Sequence, residues 1–234
     1  MFPSPIKDRI LYEDNHLIVI NKLCNEPVQG DVSGDMPLLE KVRAYIKTTY
    51  GKEGNVFCGL VHRLDRPVSG AVIFAKTSKA LTRMNQLIKD RKVDKRYVAV
   101  VENTLKSGEG ILFNYLCKNE KQNKSYVSDV EKEGYKKAEL DYEIIGQSKN
   151  YTIVEVKLVT GRHHQIRAQL AHAGAMIKGD VKYGARRPNK DGSISLHAAK
   201  LRFEHPVSHQ VIEINAPALA EELGKILEES VGEF

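Results

Sequence analysis

The strand-like runs of this chain lie beside one another in pairs, with helices inserted irregularly between them, and this order restricts the fold more than any other feature. A parallel sheet needs a long crossover after each strand, whereas strands adjacent in sequence close directly as antiparallel hairpins. The expected class is therefore α+β, with a mixed, largely antiparallel sheet flanked by helices. Arg9–Lys22 reads as two short strands about an Asp14-Asn15 turn, and Leu140–Gly146 with Tyr151–Leu158 as a hairpin across Gln147-Ser148-Lys149-Asn150. Ala71–Ala75, Tyr97–Val101, Ile194–Phe203 and Val211–Ile214 add strands. Leu38, Leu39, Val42, Tyr45 and Ile46 recur at helical spacing up to Gly51, and Leu81, Met84, Leu87 and Ile88 do so behind a Thr77 or Ser78 cap. A helix from about Arg162 to His172 closes at Gly174, and an acidic helix is expected over 217–234. The polar stretch 104–137, poor in large aliphatics, reads as a mobile arm or insertion. No repeat or linker cuts the chain, so residues 1–234 are expected to form one domain.

Charge is distributed unevenly. Lysine and arginine number 36 against 30 acidic residues, a net of +6, but residues 217–234 carry −4, which leaves +10 on residues 1–216. Lys76–Tyr97 holds eight basic residues and Thr160–Arg202 nine, each against two aspartates. Paired basic blocks suit a polyanion such as RNA, because each phosphate neutralised releases condensed counterions; a solvated basic face is the alternative on charge alone. No apolar run is long enough for a membrane helix, and the N-terminus lacks the basic and apolar segments of a signal peptide, so a cytoplasmic protein without membrane attachment is expected. A monomer is expected, since no heptad or apolar stripe calls for a partner helix. Cys24, Cys58 and Cys117 are odd in number and widely spaced, which excludes a disulfide framework or a cysteine zinc site. Glycine-rich nucleotide loops, HExxH and EF-hand patterns are all missing, so neither a nucleotide cofactor nor a metal is expected and side chains must supply any chemistry.

The most specific segment is Gly59-Leu60-Val61-His62-Arg63-Leu64-Asp65-Arg66-Pro67-Val68-Ser69-Gly70. An aspartate bracketed by two arginines, on a loop running into a buried strand, can stay ionised while partly desolvated, as a carboxylate nucleophile or base requires. It can equally cap a turn and pair with Arg63 or Arg66.

Three further stretches bear on that choice. They are Lys95-Arg96-Tyr97-Val98-Ala99-Val100-Val101, then Thr160-Gly161-Arg162-His163-His164-Gln165-Ile166-Arg167, then Gly179-Asp180-Val181-Lys182-Tyr183-Gly184 with Leu196-His197-Ala198-Ala199-Lys200-Leu201-Arg202-Phe203-Glu204-His205-Pro206. With the Asp65 segment and the opening Tyr12–Lys22 they resemble, in order over roughly residues 10–216, the motif series of the RluA-type pseudouridine synthases. The resemblance implies a single catalytic domain of pseudouridine synthase-like fold with a central basic cleft, and a cofactor-free isomerase of uridine in structured RNA, tRNA or rRNA. It places Asp65 on the catalytic aspartate, Tyr97 on the aromatic residue that packs against the target base, and Arg167 on the arginine that pairs with that aspartate. Leu196 falls on the apolar wall of the uracil pocket and Arg63 on the residue that enters the RNA stack. His62, Lys76, Arg162, Lys182, Arg186 and Arg187 are further expected RNA contacts. Val68, His163 and Gln169 depart from the common family pattern without removing a catalytic side chain. About nine residues precede the first strand, so the S4-type RNA-binding domain of many relatives is not expected here. A non-catalytic RNA-binding protein and a nucleoside hydrolase are the competing classes; the first has no use for a carboxylate facing phosphate, and the second needs a second acid or a metal to activate water.

Overall fold

The computed structural model describes residues 5–218, so the acidic helix expected over 217–234 lies outside the described residues from position 219 on. The chain divides into two compact units, one holding the residues up to Val93 together with Ala199–Pro217, the other Asp94–Ala198.

In the first unit β1 (Ile10–Glu13) and β2 (Leu17–Lys22) pair antiparallel. Asp14 makes the turn between them, its Oδ1 accepting from the backbone N–H groups of His16 and Leu17 at 2.7 Å. After α1 (Leu38–Thr49) and the two-residue β3 (Gly59–Leu60), β4 (Ser69–Ala75) pairs antiparallel with β2, from Leu17 opposite Ala75 to Lys22 opposite Gly70. Every residue of β2 and β4 is buried, which is why Leu17–Ile20 and Ala71–Ala75 read as continuous apolar runs without alternation. Helix α2 (Ser78–Lys89) starts where the Thr77 side chain accepts from Ala80 N, settling the choice of cap. Its Met84 is buried with Leu17, Val19, Ala71 and Ile73, and Leu81, Leu87 and Ile88 pack onto the same cluster, while Lys79, Arg83 and Lys89 stay exposed.

The second unit carries strands β5 (Val93–Val101, entering from the last residue of the first), β6 (Glu109–Asn119), β7 (Lys124–Ser128), β8 (Lys136–Gln147) and β9 (Thr152–Leu158). They lie in the order β5-β9-β8-β6-β7, and all four pairings are antiparallel. The stretch 104–137 thus holds two regular strands. Its burial inverts the usual pattern: Ile111 and Phe113 are exposed, while Asn114, Ser125 and Ser128 are buried beside Leu116. Helix α3 (Gln165–His172) begins three residues later than its sequence signals, because His164 takes a left-handed conformation (φ 51°) and the preceding turn is closed by the Gln165 side chain. The last strands, β10 (Leu196–Glu204) and β11 (Val211–Asn215), form an antiparallel hairpin that brings the chain back to the first unit.

Candidate active site

Asp65 stands in the first unit, half-buried, at the head of a turn closed by Val68 N donating to the Asp65 backbone carbonyl (3.0 Å). Pro67 restricts φ within this turn. The turn is held from beneath by Lys22, a fully buried lysine at the end of β2. Its ammonium donates to the carbonyls of Leu23 (2.8 Å), Arg66 (3.0 Å) and Val68 (2.6 Å), so all three N–H groups have acceptors and two of these belong to the loop that carries Asp65. Burial pushes this ammonium down to about 8, against the opposing charges of Glu26, Cys24 and Asp65. Lys22 holds this loop in place; it ends the opening Tyr12–Lys22 stretch, in which the sequence assigns it no role, and the signal available is a lysine ending a strand whose other residues are all apolar or amide.

The arginines flanking Asp65 separate cleanly. Arg66 turns away to Asp31 and Asp35 of the loop before α1. Arg63 is exposed and has no side-chain hydrogen bond or ion pair among the described residues, which leaves its guanidinium plane available for stacking. His62 accepts from Ile73 N through Nε2 at 3.3 Å, a bond within the loop–strand junction. Lys76, expected to touch RNA, is nearly buried and bound to Glu13 at 2.7 Å, with Tyr50 OH at 3.3 Å. Its charge is neutralised locally, within the first unit.

In the second unit Tyr97 is buried on β5 and Leu196 is buried at the start of β10. Arg167, on α3, forks onto Asp180, Nε to Oδ2 at 2.7 Å and Nη2 to Oδ1 at 2.8 Å, with both side chains buried. The fork uses one edge of the guanidinium and fixes the direction of the other. Behind it the Tyr183 ring lies under the guanidinium carbon at 5.1 Å, while its hydroxyl accepts from Ser125 N (2.8 Å) and meets His164 Nδ1 at 3.0 Å. Arg162 donates through Nε to Lys137 O at 2.8 Å, and Lys182 through Nζ to Asn123 O at 3.1 Å; both are exposed, as are Arg186 and Arg187. Among the described residues no three His, Cys, Asp or Glu side chains gather as a metal cage.

Burial, aided by the charges of Arg167 and His163, pushes His164 down to about 2 from 6.5. Between those values the unfolded chain binds a proton that the folded one does not, so stability falls as pH drops below about 6.5 and is flat above it. Asparagine tolerates the left-handed backbone at this position. His164→Asn is therefore expected to remove about 2 kcal/mol of the stability lost between pH 7.5 and 5, measured by urea unfolding at the two pH values. An identical pH slope in the variant would show that the imidazole charges without cost.

A fully buried lysine clamps the Asp65 loop in the first unit, and a buried arginine–aspartate fork braces α3 in the second. The sequence pattern of the RNA pseudouridylate synthase family matches residues 16–172, and the chain belongs to that family. It is 33% identical over 231 residues to ribosomal large subunit pseudouridine synthase C of Vibrio vulnificus, covering 96% of this chain and 70% of that protein. It is 31% identical over 229 residues to the uncharacterised RNA pseudouridine synthase YlyB of Bacillus subtilis, covering 96% and 73%. The structure of human RNA pseudouridylate synthase domain containing 4 has the same fold, with a TM-score of 0.81 at 20% identity over 95% of this chain and 93% of that one. The chain is an RNA pseudouridine synthase, an isomerase.

Proposed function

We propose that this enzyme converts uridine to pseudouridine in ribosomal RNA, with Asp65 as the catalytic carboxylate. The observation that carries the assignment of Asp65 is the Lys22 clamp: a buried cation committed to the carbonyls of the loop that carries the acid. Ribosomal RNA is favoured over tRNA by the name of the Vibrio relative. A uracil inside a helix is out of reach until it is flipped out, which costs a few kcal/mol of stacking; the exposed guanidinium of Arg63 recovers part of that by entering the gap. Tyr97 presents its ring to the extruded base and Leu196 walls the pocket. Cleavage of the N1–C1′ bond builds positive charge on ribose, which an ionised carboxylate stabilises or captures. Attack on ribose, attack on base and removal of a sugar proton all use Asp65 as a carboxylate. The base rotates, C5 bonds to C1′, and the C5 proton is lost as N1 gains one.

The test uses transcripts of large-subunit rRNA and of tRNA carrying tritium at uridine C5. Tritium release from the rRNA, stoichiometric with pseudouridine and without free uracil, is the expected result. Free uracil would make the protein a hydrolase, and release from tRNA alone would overturn the choice of substrate. Tyr97→Phe keeps the stacking face and should lose less than about tenfold in kcat/KM. Tyr97→Ala removes base–aromatic stacking of about 1–3 kcal/mol and should lose about 10- to 100-fold. Equal losses would assign the role to the hydroxyl.

A further inference from the structure

Lys95 lies on β5 two residues before Tyr97. Alternation along a strand puts these two side chains on one face and Asp94 and Arg96 on the other. On that other face the charges are matched: Arg96 meets Glu155 at 2.6 Å and Asp94 at 3.6 Å. On the Tyr97 face they are not. The Lys95 side chain is half-buried, and among the described residues its ammonium has neither a hydrogen-bond partner nor a counterion. It stands beside Gly161, where an added Cβ would come within 3.7 Å of Nζ. The turn around that glycine is rigid, since Gln165 Oε1 accepts from both Thr160 Oγ1 (2.8 Å) and Arg162 N (2.9 Å). Burial alone acts on the Lys95 ammonium and lowers its pKa.

A partly desolvated ammonium without a partner is a cost to the fold, and such costs gather where a ligand supplies the missing charge. Arg162, exposed on the same turn, adds a second positive charge. We propose that Lys95 binds a backbone phosphate of the RNA next to the uridine that Tyr97 receives, at a site completed by the Gly161 turn. The inference rests on Tyr97 facing the target base, as proposed above.

The test compares Lys95 with Lys95→Gln, both in the Asp65→Asn background so that the RNA stays unmodified. If the ammonium neutralises a phosphate, Lys95→Gln should weaken binding about tenfold at low salt and make the plot of log K against log salt shallower by about 0.7–0.9. Single neutral methylphosphonate linkages walked along the RNA should weaken the lysine protein at one position flanking the target and leave Lys95→Gln unaffected there. The melting temperature of Lys95→Gln should match or exceed that of the parent, because an unpaired charge is removed; a scaffolding lysine would lower it. An unchanged salt slope overturns the proposal, as does a loss of affinity with no methylphosphonate position at which the two proteins differ. If the wild type converts no uridine in the tritium assay, the catalytic reading fails. If it converts uridine and Lys95→Gln binds as tightly as its parent, only the phosphate site fails.

Discussion

Asp65→Asn is expected to abolish pseudouridine formation, with a loss of at least about 10³-fold, or about 4 kcal/mol of transition-state stabilisation, while RNA binding holds or tightens. The two side chains are isosteric, so the change removes the charge and keeps the shape. The turn keeps bonds that do not involve the side chain, because Val68 N bonds to the Asp65 backbone carbonyl and Lys22 holds the Arg66 and Val68 carbonyls. Asparagine is itself a good turn former. The chemistry has no such tolerance: an amide neither captures nor neutralises a cationic ribose. Binding should improve slightly, since a negative charge facing a polyanion is removed. The alternative reading of the sequence, a turn-capping aspartate paired with its arginine neighbours, makes the opposite forecast, with turnover retained and stability reduced. The tritium assay and a urea titration of one variant separate the two.

How far the site can be read in the sequence follows the range of the interactions involved. Asp14 in its turn, Thr77 at the head of α2 and the hairpin of β8 and β9 rest on bonds between near neighbours, and each is legible. Strands β6 and β7 are not, because polar Asn114, Ser125 and Ser128 are buried while Ile111 and Phe113 are exposed, which removes the apolar-in, polar-out signal. The start of α3 is displaced by the left-handed His164, which no helical periodicity reveals. Charge partners are the least legible. Lys76 and Glu13 are 63 positions apart, and Lys22 reaches carbonyls 44 and 46 positions on, so their pairing is a product of the tertiary fold. The family resemblance couples Arg167 to Asp65, while the structure adds a bidentate partner, Asp180, that the sequence offers only as part of a motif. Lys95 is just as hidden, because an unpaired lysine looks like any other until its surroundings are known.

The Arg167–Asp180 fork gives the second large effect. Asp180→Asn leaves a buried guanidinium opposite a neutral amide, one of whose two polar atoms is now a donor facing donors. Breaking a buried pair from one side costs about 3–5 kcal/mol, so the variant should unfold at a much lower urea concentration and lose turnover with it. That result alone would not distinguish a scaffold from a catalytic support. The double variant Arg167→Met, Asp180→Leu does, because replacing both members of a buried ion pair by apolar groups of similar size is commonly neutral or stabilising. Its stability should return to near that of the wild type. Its turnover should not, if the guanidinium serves the reaction as the family motif implies. A double variant as active as the wild type at neutral pH would reduce Arg167 to a buttress for α3.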